Sequence, residues 1–261
     1  MEIILVALYL GISAVCIGVV TGATGIGGFL IIPAMMVIAS IDVRTAIGTA
    51  LVISAATGLL GASLYHSNGN LSWTLALPLI IGASFFATVG GWLNQWLPVN
   101  LIAGALGCTM LFGGASVLKR AQKDGSAKLL KITPFDLVAL VLIGSLSGLV
   151  AGLTGAGGPL VSVPLMTVFS FPVLGSIGAS QLMQIAASLF GAPLYWQTDN
   201  ISLFALTIVI PCQMLGTVFG VKLSHAVNVN VAARGVASLG ILGGAAILWV
   251  AIKQPLFLDA L

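Results

Sequence analysis

The 261 residues are 59% hydrophobic and only 6% charged, against about 25% charged in an ordinary soluble domain. A soluble fold of this length could not cover its surface with so few charges, so the bilayer must solvate most of the outside. The net charge is only +3, without a basic stripe interleaved with aromatics, and this excludes a nucleic-acid partner. The three cysteines, Cys16, Cys108 and Cys212, share no metal-ligand or disulfide spacing.

Hydropathy predicts apolar segments in chain order at about 3–20, 29–40, 45–65, 72–97, 100–118, 135–152, 159–171, 174–196, 202–225 and 231–252. A helix needs about 20 residues to cross the hydrocarbon core, and most of these segments suffice. The first lacks a basic leader and reads as a retained membrane span rather than a secretory signal. Two segments, 29–40 and 159–171, are short, and each follows a glycine-rich stretch. Trp73, Trp92, Trp96, Trp196 and Trp249 lie near segment ends, as an interfacial belt would place them.

One hydrophilic linker interrupts this pattern near mid-chain. Between Lys119 and Lys131 it holds five of the nine basic residues, which the positive-inside rule places in the cytoplasm. A shift of 130 residues then aligns the halves without a gap. Gly18 falls on Gly148, Gly22 on Gly152, Ile47-Gly48 on Ile177-Gly178, Leu64-Tyr65 on Leu194-Tyr195 and Asn70 on Asn200. The expected fold is an all-α polytopic membrane protein. It has a first repeat at 1–118, a basic linker at 119–134 and a second repeat at 135–261. Each repeat of about 130 residues holds five helical segments and one glycine-rich helix break. Five crossings per repeat would invert the second against the first; four, with the short piece re-entrant, would leave them parallel. The positions of Glu2, Asp199, Lys222 and Arg234 favour inversion, and Arg44 opposes it.

The chemistry centres on the two breaks, Thr21-Gly22-Ala23-Thr24-Gly25-Ile26-Gly27-Gly28 and Gly152-Leu153-Thr154-Gly155-Ala156-Gly157-Gly158-Pro159. Glycine costs a helix about 1 kcal/mol relative to alanine. A break frees backbone polar groups that hydrocarbon cannot satisfy, so it survives only within protein or beside a wet cavity. Paired breaks at matching positions of two repeats point to a transporter site. A short helix starting near Gly28 and another near Gly158 would turn N–H groups and positive dipole ends toward a shared anion. Thr24, Gly25, Gly27, Gly28, Thr154, Gly155, Gly157 and Gly158 are therefore substrate-binding candidates. Glycines that merely permit tight helix packing are the plainer explanation. The spacing also mimics a dinucleotide-binding glycine pattern with Asp42 beyond it, but that motif needs a strand before it and a soluble βαβ unit around it.

These glycine motifs, each ahead of a short apolar piece with a proline (Pro33, Pro164), resemble the sulfite exporter TauE/SafE family of bacterial membrane proteins. The turns His66-Ser67-Asn68-Gly69-Asn70 and Gln197-Thr198-Asp199-Asn200 resemble that family's as well. The resemblance runs over nearly the whole chain. It implies a multi-pass carrier in the bacterial inner membrane that moves sulfite, sulfonates or other small organic anions.

A second polar set follows each short piece: Thr45, Thr49, Ser54 and Thr57 in one half, and Ser176, Ser180, Gln181, Gln184 and Ser188 in the other. Gln181 and Gln184 share a helix face. An intramembrane glutamine must find a partner, in a neighbouring helix or in a cavity. Thr49, Ser54, Gln181 and Gln184 join the substrate-binding candidates, with interhelical hydrogen bonding as the alternative. No Asp or Glu falls mid-span, so a buried-carboxylate proton relay is not expected. His66 and His225 sit at segment ends and offer no nucleophile–base pair. The expected function is secondary transport of a small anion, with a channel that uses the same glycine loops as its filter as the alternative. No enzymatic activity, metal or cofactor is expected. The expected partners are the anion, the lipid bilayer and a second copy of the chain.

Overall fold

The computed structural model describes residues 2–24, 27–120, 132–156, 158–224 and 229–253. Every α-helix and one short 3₁₀ turn follow the apolar segments, and no strand occurs among the described residues. The helices are α1 (Glu2–Thr24), α2 (Ile31–Ala39), α3 (Val43–Ser67), α4 (Trp73–Trp96), α5 (Val99–Arg120), α6 (Pro134–Thr154), α7 (Pro159–Val168), α8 (Val173–Gln197), α9 (Leu203–Ser224) and α10 (Val229–Lys253). The 3₁₀ turn, Gly28–Leu30, leads directly into α2. Among the described residues seven helices are long and apolar enough to cross a membrane, while α2 and α7 are too short. The basic linker at 121–131 lies outside the described residues.

Local chemistry fixes several helix starts. Asp42 caps α3 by accepting from the Thr45 N–H at 3.0 Å. Thr133 and Asp136 cap each other's backbone at the start of α6, with Pro134 at the first helical position, where no N–H is needed.

Two long helix pairs are held by glycine. A Cβ at Gly18 or Gly22 of α1 would strike the backbone carbonyl of Gln213 or Thr217 on α9. Gly216 and Gly220 of α9 approach the carbonyls of Val15 and Val19 equally closely. The α4–α6 pair repeats the arrangement: Gly148 and Gly152 lie on the carbonyls of Ala83 and Ala87, and Gly90 lies on that of Leu149. Such contacts bring backbones together where lipid offers no hydrophobic drive. Two smaller contacts match each other in the same manner. Gly48 lies on the Asn200 carbonyl and the Tyr195 side chain, while Gly178 lies on the Asn70 carbonyl and faces Tyr65.

The apolar core fills the space between these pairs. One cluster joins Leu10, Ile32, Met35, Ile47, Leu106 and Val163, and a second joins Leu79, Ala83, Leu140, Met166 and Met183. Large apolar side chains also cover the outside, among them Ile4, Val37, Ile81, Phe85, Leu142, Leu189 and Phe219. A soluble monomer does not tolerate so much exposed apolar surface, whereas hydrocarbon solvates it. The five tryptophans are all exposed, at or near helix ends.

Candidate functional site

α6 stops at Thr154 and α7 begins at Pro159. Gly155 closes α6 in the left-handed region at φ 64°, with its N–H on the Ala151 carbonyl. A side chain there would also strike the Ile47 backbone. The carbonyls freed at this helix end find donors inside the protein: the Tyr195 hydroxyl donates to the Gly152 carbonyl at 2.7 Å, and Asn94 Nδ2 donates to that of Leu153 at 2.6 Å. Both donors are buried. A helix end within the apolar interior is tolerable because of these bonds.

The starts of two short helices border one cavity. Gly27, Gly28 and Phe29 line it from the turn before α2, and Pro159 and Leu160 line it from the first turn of α7. Thr21 of α1, Ser54 and Thr57 of α3, and Gln181 and Gln184 of α8 complete the described lining. The cavity measures about 20 Å³ of space open to a water centre, which is room for about one water. No charged side chain is among the described lining residues.

The polar groups around it are unevenly engaged. Gln184 Nε2 donates to the Ser54 carbonyl at 3.0 Å and to Gln181 Oε1 at 3.2 Å. Both carboxamides are nearly buried, in a notch that α3 leaves at Gly58 and Gly61. Neither Gln181 Nε2 nor the Ser54 hydroxyl donates to a described residue, which makes both candidate donors toward a guest. The hydroxyls of Thr21 and Thr57 donate to the carbonyls of Ile17 and Ile53 one helical turn earlier, leaving lone pairs. Behind Gly28 stands Gln213 of α9, with its Nε2 3.7 Å from where a Cβ on Gly28 would sit. The Oε1 of Gln213 is buried without a partner among the described residues.

The sequence-predicted residues separate accordingly. Gly27, Gly28, Ser54, Gln181 and Gln184 meet at the cavity. Gly158 stands one residue ahead of its α7 wall, with its carbonyl accepting from Ser162 N–H and hydroxyl at 3.1 and 2.9 Å. Thr154 is fully buried, but its hydroxyl donates to the Val150 carbonyl and accepts from the Ala156 N–H. Thr49 stands apart from the cavity, donating to the Thr45 carbonyl and accepting from the Ser202 N–H at 2.9 Å, which anchors the turn before α9. Thr24 ends α1, and nothing is described of its side chain. Gly25 and Gly157 lie outside the described residues.

The family model for the sulfite exporter TauE/SafE matches residues 10–247. The chain belongs to that family. Among curated relatives of this TauE/SafE protein are two from Bacillus subtilis. "Probable membrane transporter protein YdhB" is 26% identical over 80% of this chain and 86% of its own length. "Probable membrane transporter protein YunE" is 24% identical over 82% and 87%. A "Probable membrane transporter protein" of Haemophilus influenzae is 26% identical over 72% of each chain. No solved structure matches. Family membership and the seven apolar helices make this TauE/SafE chain a multi-pass membrane transporter.

Sequence reasoning missed Gln213, Asn94 and the role of Tyr195. Gln213 carried a usable signal: a glutamine in the middle of the apolar run 202–225 needs a partner, as Gln181 and Gln184 do. Tyr195 carried one in its alignment with Tyr65.

Proposed function

We propose that this TauE/SafE transporter is a secondary carrier for a small oxyanion, a sulfur oxyanion or organosulfonate, bound in the cavity between the starts of α2 and α7. One observation carries the reading: two helix starts from opposite halves of the chain border a single pocket, together with two candidate donors, Ser54 Oγ and Gln181 Nε2. Helix N-termini favour anions through their free N–H groups and dipole ends. A carboxamide and a hydroxyl supply directed hydrogen bonds without the desolvation cost of a buried cation.

The carrier is built from two inverted repeats, 1–118 and 135–261, joined by a cytoplasmic linker at 119–134, in the bacterial inner membrane. Contacts at the common offset of 130 support the duplication. Gly18 with Gln213 corresponds to Gly148 with Ala83, and Gly48 with Asn200 corresponds to Gly178 with Asn70. Members of each pair exchange halves, as a twofold relation requires. Alternating access would then rock one repeat against the other around the pocket.

The small size of the cavity favours a carrier over a standing filter, because an open channel would need a continuous wet path. The test is flux in proteoliposomes made with the full chain. Saturable uptake of sulfite or methanesulfonate, stimulated by the same anion on the far side, is the expected result. Flux that neither saturates nor responds to trans anion would sink the carrier in favour of the channel.

A further inference from the structure

We propose that the cavity selects its oxyanion by charge, taking the monoanion and rejecting the dianion. This rests on the anion-carrier reading above and adds the charge state of the ligand.

Three observations lead there. First, no charged side chain lines the pocket among the described residues, and Arg44, which does not line it, gives its Nη2 to the Leu97 carbonyl at 2.7 Å. Second, the positive potential comes from the starts of two helical pieces, the 3₁₀ turn Gly28–Leu30 that runs directly into α2 and the first turn of α7 at Pro159. Each is equivalent to about half an elementary charge, so together they offset about one negative charge. Neither start stands alone as an argument. Gln181 lines the same pocket at 4% exposure, and its Nε2 donates to no described residue.

Third, the surroundings oppose a second charge. The cost of desolvating an ion rises with the square of its charge, fourfold from monoanion to dianion. The attraction to the fixed dipole ends only doubles. A neutral pocket with two candidate donors and two half-charges therefore retains the single charge and loses the double.

The test is ligand binding to the purified full-length protein, by isothermal titration, from about pH 5.5 to about pH 8.5. Three probes separate the cases: methanesulfonate, a monoanion throughout; sulfate, a dianion throughout; and sulfite, which loses its second proton near neutrality. No titratable side chain is among the described lining residues, so the pH profile reads the ligand. Methanesulfonate affinity should stay flat, and sulfite affinity should fall about tenfold per pH unit above its own ionisation. Sulfate should bind about 100-fold more weakly than methanesulfonate. Sulfite affinity that holds or rises with pH, or sulfate equal to methanesulfonate, would overturn the charge selection and leave the anion site standing. Failure of all three probes at every pH would remove the anion site itself, and charge selection with it.

Discussion

Gln184 and Ser54 stand 130 positions apart and are bonded to each other, Nε2 to backbone carbonyl at 3.0 Å. That separation is the shift that aligns the two halves. When two units are related by a twofold axis, only positions close to the axis touch their own equivalents. On the two-repeat reading this bond marks the axis, and the cavity lies against it. The two partners differ in side chain, so a guest there meets Ser54 on one side and the Gln184–Gln181 pair on the other.

The two glutamines should behave differently when replaced. Gln181→Leu removes a donor that lines the cavity, so anion affinity should fall about 10- to 150-fold, the worth of a hydrogen bond to a charged group, while loss of its Oε1 contact with Gln184 Nε2 within α8 should lower the melting temperature only slightly. Gln184→Leu breaks the tie to α3 and should lower thermal stability, by about 0.6 kcal/mol on the average for interhelical bonds in membranes. Titration and thermal melting of both variants, with Gln95→Leu as a control away from the cavity, check this. Equal affinity losses in Gln95→Leu and Gln181→Leu would reduce Gln181 to packing.

Two glycines on either side of the same fold test separate ideas. At Gly27 a Cβ would come within 2.8 Å of Val20 Cγ1 and 3.0 Å of Thr21 Oγ1, and a larger side chain would intrude on the pocket. Gly27→Leu should cut flux at least about 100-fold and still insert and purify. At Gly152 the obstacle is the Ala87 backbone. Gly152→Leu should force α4 and α6 apart, at about 1–3 kcal/mol or more for overpacking, and cut the yield of folded protein. Size-exclusion profiles with uptake assays distinguish the two; normal flux in Gly27→Leu would rule out the glycine-lined site.

Tyr195→Phe deletes one hydroxyl and strands the Gly152 carbonyl within a buried helix end. A buried unsatisfied acceptor costs about 1–3 kcal/mol, so the variant should melt earlier and transport more slowly. A melting curve unchanged from wild type would mean that the α6 end finds another donor.

The orientation is checked by protease. A cleavable tag between residues 120 and 130 should resist external protease in whole cells and be cut in inverted vesicles. Cleavage in whole cells would reverse the topology.

Segment ends were largely legible in the sequence because hydropathy marks them: the apolar run 72–97 became Trp73–Trp96, and 174–196 became Val173–Gln197. Family membership was legible in the glycine motifs and turns. Individual polar roles were not. Thr49 and Ser54 sit on one helix in similar apolar runs, yet Thr49 secures the turn before α9 while Ser54 lines the cavity. That difference depends on which helix packs opposite, and hydropathy carries no such information. Glycines divide the same way: Gly22 serves the α1–α9 contact and Gly27 lines the pocket, although they belong to one motif.

The pocket's volume has a kinetic consequence. On the carrier reading, a cavity of about 20 Å³ is too small for an oxyanion as it stands, so loading and unloading both wait for the walls to part. Throughput is then governed by the protein's own breathing, on the microsecond-to-millisecond scale of lid and domain motions, and not by how fast solute arrives. Cooling should slow such a device far more steeply than it slows diffusion through water.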